Sequence, residues 1–103
     1  MTLPEFINVG GKRIPLEVTN LQETDQALGI YDSERRVIKL DESLLTDKRV
    51  LRDTLTHEVI HCALDLAGIS FNTSGALSHK VEEQVVTAVE SLAAPAIVRV
   101  WRI

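Results

Sequence analysis

The chain has 103 residues, a formal net charge of −4, 45% hydrophobic and 25% charged residues, and a single cysteine. This suits one folded domain over residues 1–103 and argues against a disordered chain. The acidic balance argues against nucleic-acid binding driven by bulk charge, and no apolar run approaches the roughly 18 residues of a membrane helix. The lone Cys62 rules out an intrachain disulfide and suits a reducing, cytoplasmic setting, and residues 1–10 carry no secretory pattern.

The first 40 residues predict short strands. Phe6-Ile7-Asn8-Val9 runs into Gly10-Gly11, a hairpin turn, and Arg13 to Val18 follows as a second strand. Pro15 would make that strand an edge or shift its boundary. Ala27 to Tyr31 and Arg36 to Leu40 flank Asp32-Ser33-Glu34-Arg35, a second hairpin. From Thr46 the period changes. Thr46 is placed to cap a helix, with Leu45 and Val50 as a hydrophobic staple. Leu51, Leu55, Val59, Cys62, Ala63 and Leu66 then recur at three- and four-residue steps until Gly68. Asn72-Thr73-Ser74-Gly75 is turn chemistry. A second helix begins near Ser78, carries Val85, Val86, Val89, Leu92 and Ala93 on one face, and is closed by Pro95. Ile97 to Trp101 reads as a last strand or a packed tail. The plan is α+β, a small and mostly antiparallel N-terminal sheet followed by two helices.

Chemistry concentrates in the first long helix. Its second half is apolar nearly all round, yet it contains His57, Glu58, His61 and Asp65. Buried polar groups are costly unless paired or bound to a metal. Histidines at i and i+4 have Cβ atoms about 6 Å apart, so both imidazoles reach one ion. Glu58 follows the first histidine and points to where a water would sit on that ion. This is the His-Glu-x-x-His arrangement of two ligands and a general base on one helical turn. The plain alternative is two satisfied core histidines and an exposed glutamate.

A catalytic zinc needs a third protein ligand and an open fourth position. Helix phase favours Glu82, which shares a face with Val85, Val86 and Val89 and so points inward. Glu83 shares its face with Thr87 and Glu90 and points outward. Glu83 and His79 are the other candidates. His79, one turn before Glu82, is either a solvated first-turn residue or a donor to the oxyanion of a tetrahedral intermediate. Tyr31 is either a donor reaching the same oxyanion from a strand or a half-buried sheet residue. Asp65 is either the acceptor of a ligating histidine's second N–H or a solvated or salt-bridged carboxylate. Cys62 lies about 140° around the helix from His57 and is core.

His57-Glu58-Val59-Ile60-His61, followed 21 residues later by Glu82, resembles a gluzincin-type metallopeptidase. More specifically, residues 27–95 resemble the ImmA/IrrE-type metallopeptidases of bacteria and phages. The strand from Tyr31 to Leu40 looks like that family's approach to the motif, and Val85, Ala88, Val89, Leu92, Ala93 and Pro95 like its following helix. The resemblance implies a zincin-like fold, a zinc ion and hydrolysis of peptide bonds. It supports Glu82 as the third ligand. No helix-turn-helix or sensor domain accompanies the motif, so the expectation is a minimal, stand-alone catalytic module.

The leading expectation is therefore a zinc-dependent endopeptidase acting on a protein or peptide substrate. His57, His61 and Glu82 hold the metal, Glu58 is the general base, and His79 or Tyr31 assists. The second reading is a catalytically silent, metal-stabilised interaction module, because so small a domain has little room for specificity pockets.

Overall fold

The computed structural model describes residues 2–103; Met1 lies outside them. Four strands, β1 (Phe6–Val9), β2 (Lys12–Thr19), β3 (Gly29–Asp32) and β4 (Val37–Asp41), form one sheet in the order β1-β2-β4-β3. β1 and β2 are antiparallel, joined by Gly10 and Gly11, whose φ values of 56° and 81° match the sheet's twist in a two-residue turn. β3 and β4 are antiparallel across Ser33–Arg36, where Asp32 Oδ1 accepts the N–H groups of Glu34 and Arg35. The central pairing, β2 with β4, is parallel. Two of the three pairings are thus antiparallel, as expected, and the sheet is mixed. The short helix α1 (Leu21–Asp25) makes the crossover and sends β3 to the far edge.

Pro15 does not mark an edge, because β2 lies between β1 and β4. Leu16 N–H bonds Glu5 O at 2.9 Å on the β1 side, so the nitrogen of Pro15 points the other way. On that side the ladder with β4 begins only at Leu16. The missing N–H therefore leaves no gap.

After β4 a 3₁₀ turn (Glu42–Thr46) leads into the long helix α2 (Lys48–Leu66). Asp47, not Thr46, caps it. The Thr46 hydroxyl bonds back to Ser43 O at 3.0 Å and closes the 3₁₀ turn, so the Asp47 carboxylate is the one that accepts Val50 N–H. α2 lies across the sheet and packs Leu51, Leu55 and Cys62 against Ile14, Ile38, Leu40 and Leu44. Fully buried side chains such as Ile38 and Leu40 contribute about 1.5–3 kcal/mol each. Gly68, at φ 77°, ends α2 in the left-handed conformation.

α3 (His79–Ala88) is capped by Ser78 and runs antiparallel to α2 after the loop 69–78. It does not stop at Pro95. A π-helical turn (Val89–Ala93) follows, then α4 (Ala94–Val100) with Pro95 in its first turn, where a missing N–H is harmless. Ile97 to Trp101 is consequently helix and turn, and its apolar side chains stay exposed. Among the described residues, no helix is long and apolar enough to cross a membrane.

Candidate metal centre

Helix α2 presents two faces to two partners. Toward the sheet it turns Leu51, Glu58, Cys62 and Asp65, all buried. Toward α3 it turns His57 and His61, whose ring centroids are 5.0 Å apart. Glu83 of α3 spans both rings. Its Oε1 lies 3.0 Å from His61 Nε2 and its Oε2 3.7 Å from His57 Nε2. The ligand atoms of His57, His61 and Glu83 all fall within 4.8 Å of one another. Ligands on a tetrahedral ion with bonds of 2.0–2.1 Å stand about 3.3 Å apart, so this donor set fits a divalent cation after small side-chain adjustments.

The opposite nitrogen of each ring is held by a carboxylate. His61 Nδ1 lies 2.7 Å from Glu82 Oε2, and His57 Nδ1 lies 2.8 Å from Glu90 Oε2. Both Nε2 atoms are thereby turned to the cleft. Glu82, expected as the third ligand, stands behind His61 and not beside the two Nε2 atoms. It is fully buried, and its Oε1 accepts Phe71 N–H at 3.0 Å. Burial pushes its carboxyl upward, but hydrogen bonds from His61, the Ser70 hydroxyl and Phe71 N–H outweigh this and hold it below its ordinary value.

Glu82 thus points inward, as helix phase predicts, whereas Glu83, predicted to point outward, meets both histidines. The buried face of α3 is centred on Val86, which is fully buried, and lies between the two glutamates. Glu83 is about 100° from Glu82 around a helix, and Glu90 returns to within about 20° of Glu83. Glu83 and Glu90 therefore flank the contact with α2. The spacing of Glu83 and Glu90 was the signal; their charge made that flank look solvated.

Glu58 sits between α2 and β3, 8% exposed. Burial raises its carboxyl above the ordinary range, and the neighbouring His57 and His61 and the Tyr31 backbone N–H oppose the rise. Gly29 of β3 makes room for it: a Cβ there would come within 3.2 Å of Glu58 Cγ and 2.6 Å of Thr54 Cγ2. Tyr31, a candidate oxyanion donor, gives its hydroxyl to Asp65 Oδ2 at 2.5 Å in a buried contact. Asp65 also accepts the Thr73 hydroxyl at 2.9 Å. Asp65 therefore ties β3 and the 69–78 loop to α2, and the part foreseen for it, accepting a histidine N–H, is played by Glu82 and Glu90. His79 stacks edge-on against Phe71 with centroids 4.6 Å apart. Both line a cavity of about 350 Å³ together with Gly29, His57, Glu58, His61 and Glu83.

A mixed sheet backing a helix with two histidines and a buried glutamate, and a second helix bringing a carboxylate to both rings, define a metallopeptidase-like domain. The SprT-like family profile matches residues 6–85, and the chain belongs to this zinc-metallopeptidase-like family. Comparison with curated proteins and with solved structures finds no match.

Proposed function

We propose that this chain is a zinc-dependent endopeptidase in which His57, His61 and Glu83 hold the metal and Glu58 is the general base. The carrying observation is the convergence of two Nε2 atoms and one carboxylate on the cavity that Glu58 also lines. Two imidazoles with one carboxylate suit zinc. A bound zinc ion would act as a Lewis acid, acidifying water and polarising the scissile carbonyl.

The protein's own groups supply the rest. Glu58 accepts a proton from the attacking water and delivers it to the departing amine. His79, in the cavity wall, would serve as a donor to the developing oxyanion. Among the described residues β3 pairs only with β4 and is an edge strand, and Gly29, Ile30 and Tyr31 line the cavity. An extended peptide added to that edge would lay its backbone across the site. The substrate class is therefore an unfolded or extended segment of a protein. The SprT-like match over residues 6–85 supports this chemistry, and the resemblance of residues 27–95 to ImmA/IrrE-type peptidases, read from the sequence, points to the same zincin-like fold and reaction. The reading takes residues 1–103 as one catalytic domain, and a single buried thiol, Cys62, suits a cytoplasmic setting.

Cleavage of a denatured protein by zinc-loaded parent and Glu58→Gln tests this. Cleavage should fall at least about 100-fold in the variant while zinc is retained. Equal cleavage by both would remove Glu58 as the general base, and none by a zinc-loaded parent would favour a catalytically silent metal-stabilised module.

A further inference from the structure

We infer that Glu90 is a positioning residue for the metal centre, holding His57 by its Nδ1 so that only Nε2 faces Glu83 and the cleft. The inference rests on the metal-site reading above. Glu90 lies outside residues 6–85, so the family match is silent on it.

A neutral imidazole carries one proton, on either nitrogen, and the partner of one nitrogen decides the state of the other. A carboxylate 2.8 Å from His57 Nδ1 draws the proton there and leaves the Nε2 lone pair free for a ligand. Glu82 does the same for His61. The two contacts differ in setting. Glu82 is buried and also held by Phe71 N–H and the Ser70 hydroxyl, whereas Glu90 is partly exposed and sits in the π-helical turn Val89–Ala93. Such turns are rare and occur frequently at functional sites. Arg52, Arg99 and Arg102 line a neighbouring cavity with Glu90, yet among the described residues His57 is its only ion-pair partner within 4.0 Å. Glu90 is thus committed to the histidine despite three nearby guanidinium groups. Without it, the His57 ring, 28% exposed, is free to turn and to carry its proton on Nε2, where it would block a metal.

The test compares the parent chain of 103 residues with Glu90→Ala and Glu90→Gln. Zinc affinity is measured by competition with a chromophoric chelator, and the protonated nitrogen of His57 is read from imidazole ¹⁵N–¹H correlation spectra of metal-free protein near pH 8. Glu90→Ala should weaken zinc binding by about 10–100-fold and move the His57 proton from Nδ1 to Nε2. Glu90→Gln keeps an oxygen acceptor and should recover part of the affinity. Should Glu90→Ala fail to fold, the affinity and His57 spectrum of Glu90→Gln decide, with an unchanged affinity and spectrum counting against the role. Affinity of Glu90→Ala within twofold of the parent, or an unchanged His57 proton in it, overturns the inference while leaving the metal site standing. A parent that holds no zinc overturns both.

Discussion

Replacing Gly29 by alanine would put a methyl group where Thr54 and Glu58 already stand. The new Cβ would lie 2.6 Å from Thr54 Cγ2, 3.2 Å from Glu58 Cγ and 3.3 Å from Glu58 Oε2. Carbon atoms pack best at about 3.5–4.0 Å, so the threonine methyl must retreat by about 1 Å or β3 must lift off α2. Thr54 is β-branched and helical, with few rotamers to choose from. Overpacking of this kind costs about 1–3 kcal/mol, which for a domain of this size lowers Tm by about 4–15 °C. Thr54→Ser removes the methyl responsible for the shortest contact, so the double variant should melt above Gly29→Ala alone. Circular-dichroism melts of the metal-free parent, both single variants and the double variant give the cycle. A Gly29→Ala protein melting within about 1 °C of the parent would refute the close seating of α2 on β3, and with it the placement of Glu58.

Tyr31→Phe should destabilise the fold by about 1–3 kcal/mol, read from urea unfolding, because it removes a donor from the buried Asp65 carboxylate. Zinc affinity should stay within twofold of the parent. Asp41 bonds the N–H of Gln22 and both the N–H and hydroxyl of Ser43. The Ser43 hydroxyl, followed by Gln22 N–H, holds its carboxyl below the ordinary value against the opposing effect of burial. A depressed folded value means the stabilisation is present above the unfolded value, near pH 4, and is lost as pH falls through the folded one. Melts of parent and Asp41→Asn should therefore differ at pH 7 and converge toward pH 2–3; a gap that widens in acid would reverse the assignment. Cys62 is fully buried, and burial pushes its thiol up. Alkylation by iodoacetamide at pH 8 should be slow in native protein and fast in denaturant, and equal rates would contradict its core position.

Much of the fold was legible because local chemistry and tertiary packing agree. Gly10-Gly11, the Asp32 turn and Gly68 are each dictated by backbone geometry within a few residues, and all three stand where the sequence puts them. The helix cap slipped by one residue because Thr46 and Asp47 are both good caps, and the choice depends on a 3₁₀ turn that sequence does not display. Pro15 misled because its edge-like character is confined to one side of a central strand. Pro95 misled because a helix can restart after a π turn with proline in its first turn. At the site, spacing alone puts His57, Glu58 and His61 on one helical turn, and all three line one cavity. Glu82, Glu83 and Glu90 were not separable by hydrophobic phase, because each lies beside α2 and carries a charge that phase assigns to solvent or core. What distinguishes them is which nitrogen of which ring they meet, and that depends on how α2 and α3 pack.

The central claim is that Glu83 completes the metal site while Glu82 orients His61. Zinc stoichiometry by mass spectrometry, on parent, Glu83→Ala, Glu82→Ala and His79→Ala purified without chelators, addresses it most directly. About one zinc per chain in the parent is expected. Binding should be lost in Glu83→Ala, weakened by about 10–100-fold in Glu82→Ala, and kept in His79→Ala. Full zinc in Glu83→Ala with none in Glu82→Ala or His79→Ala would contradict the account and move the third ligand to that residue.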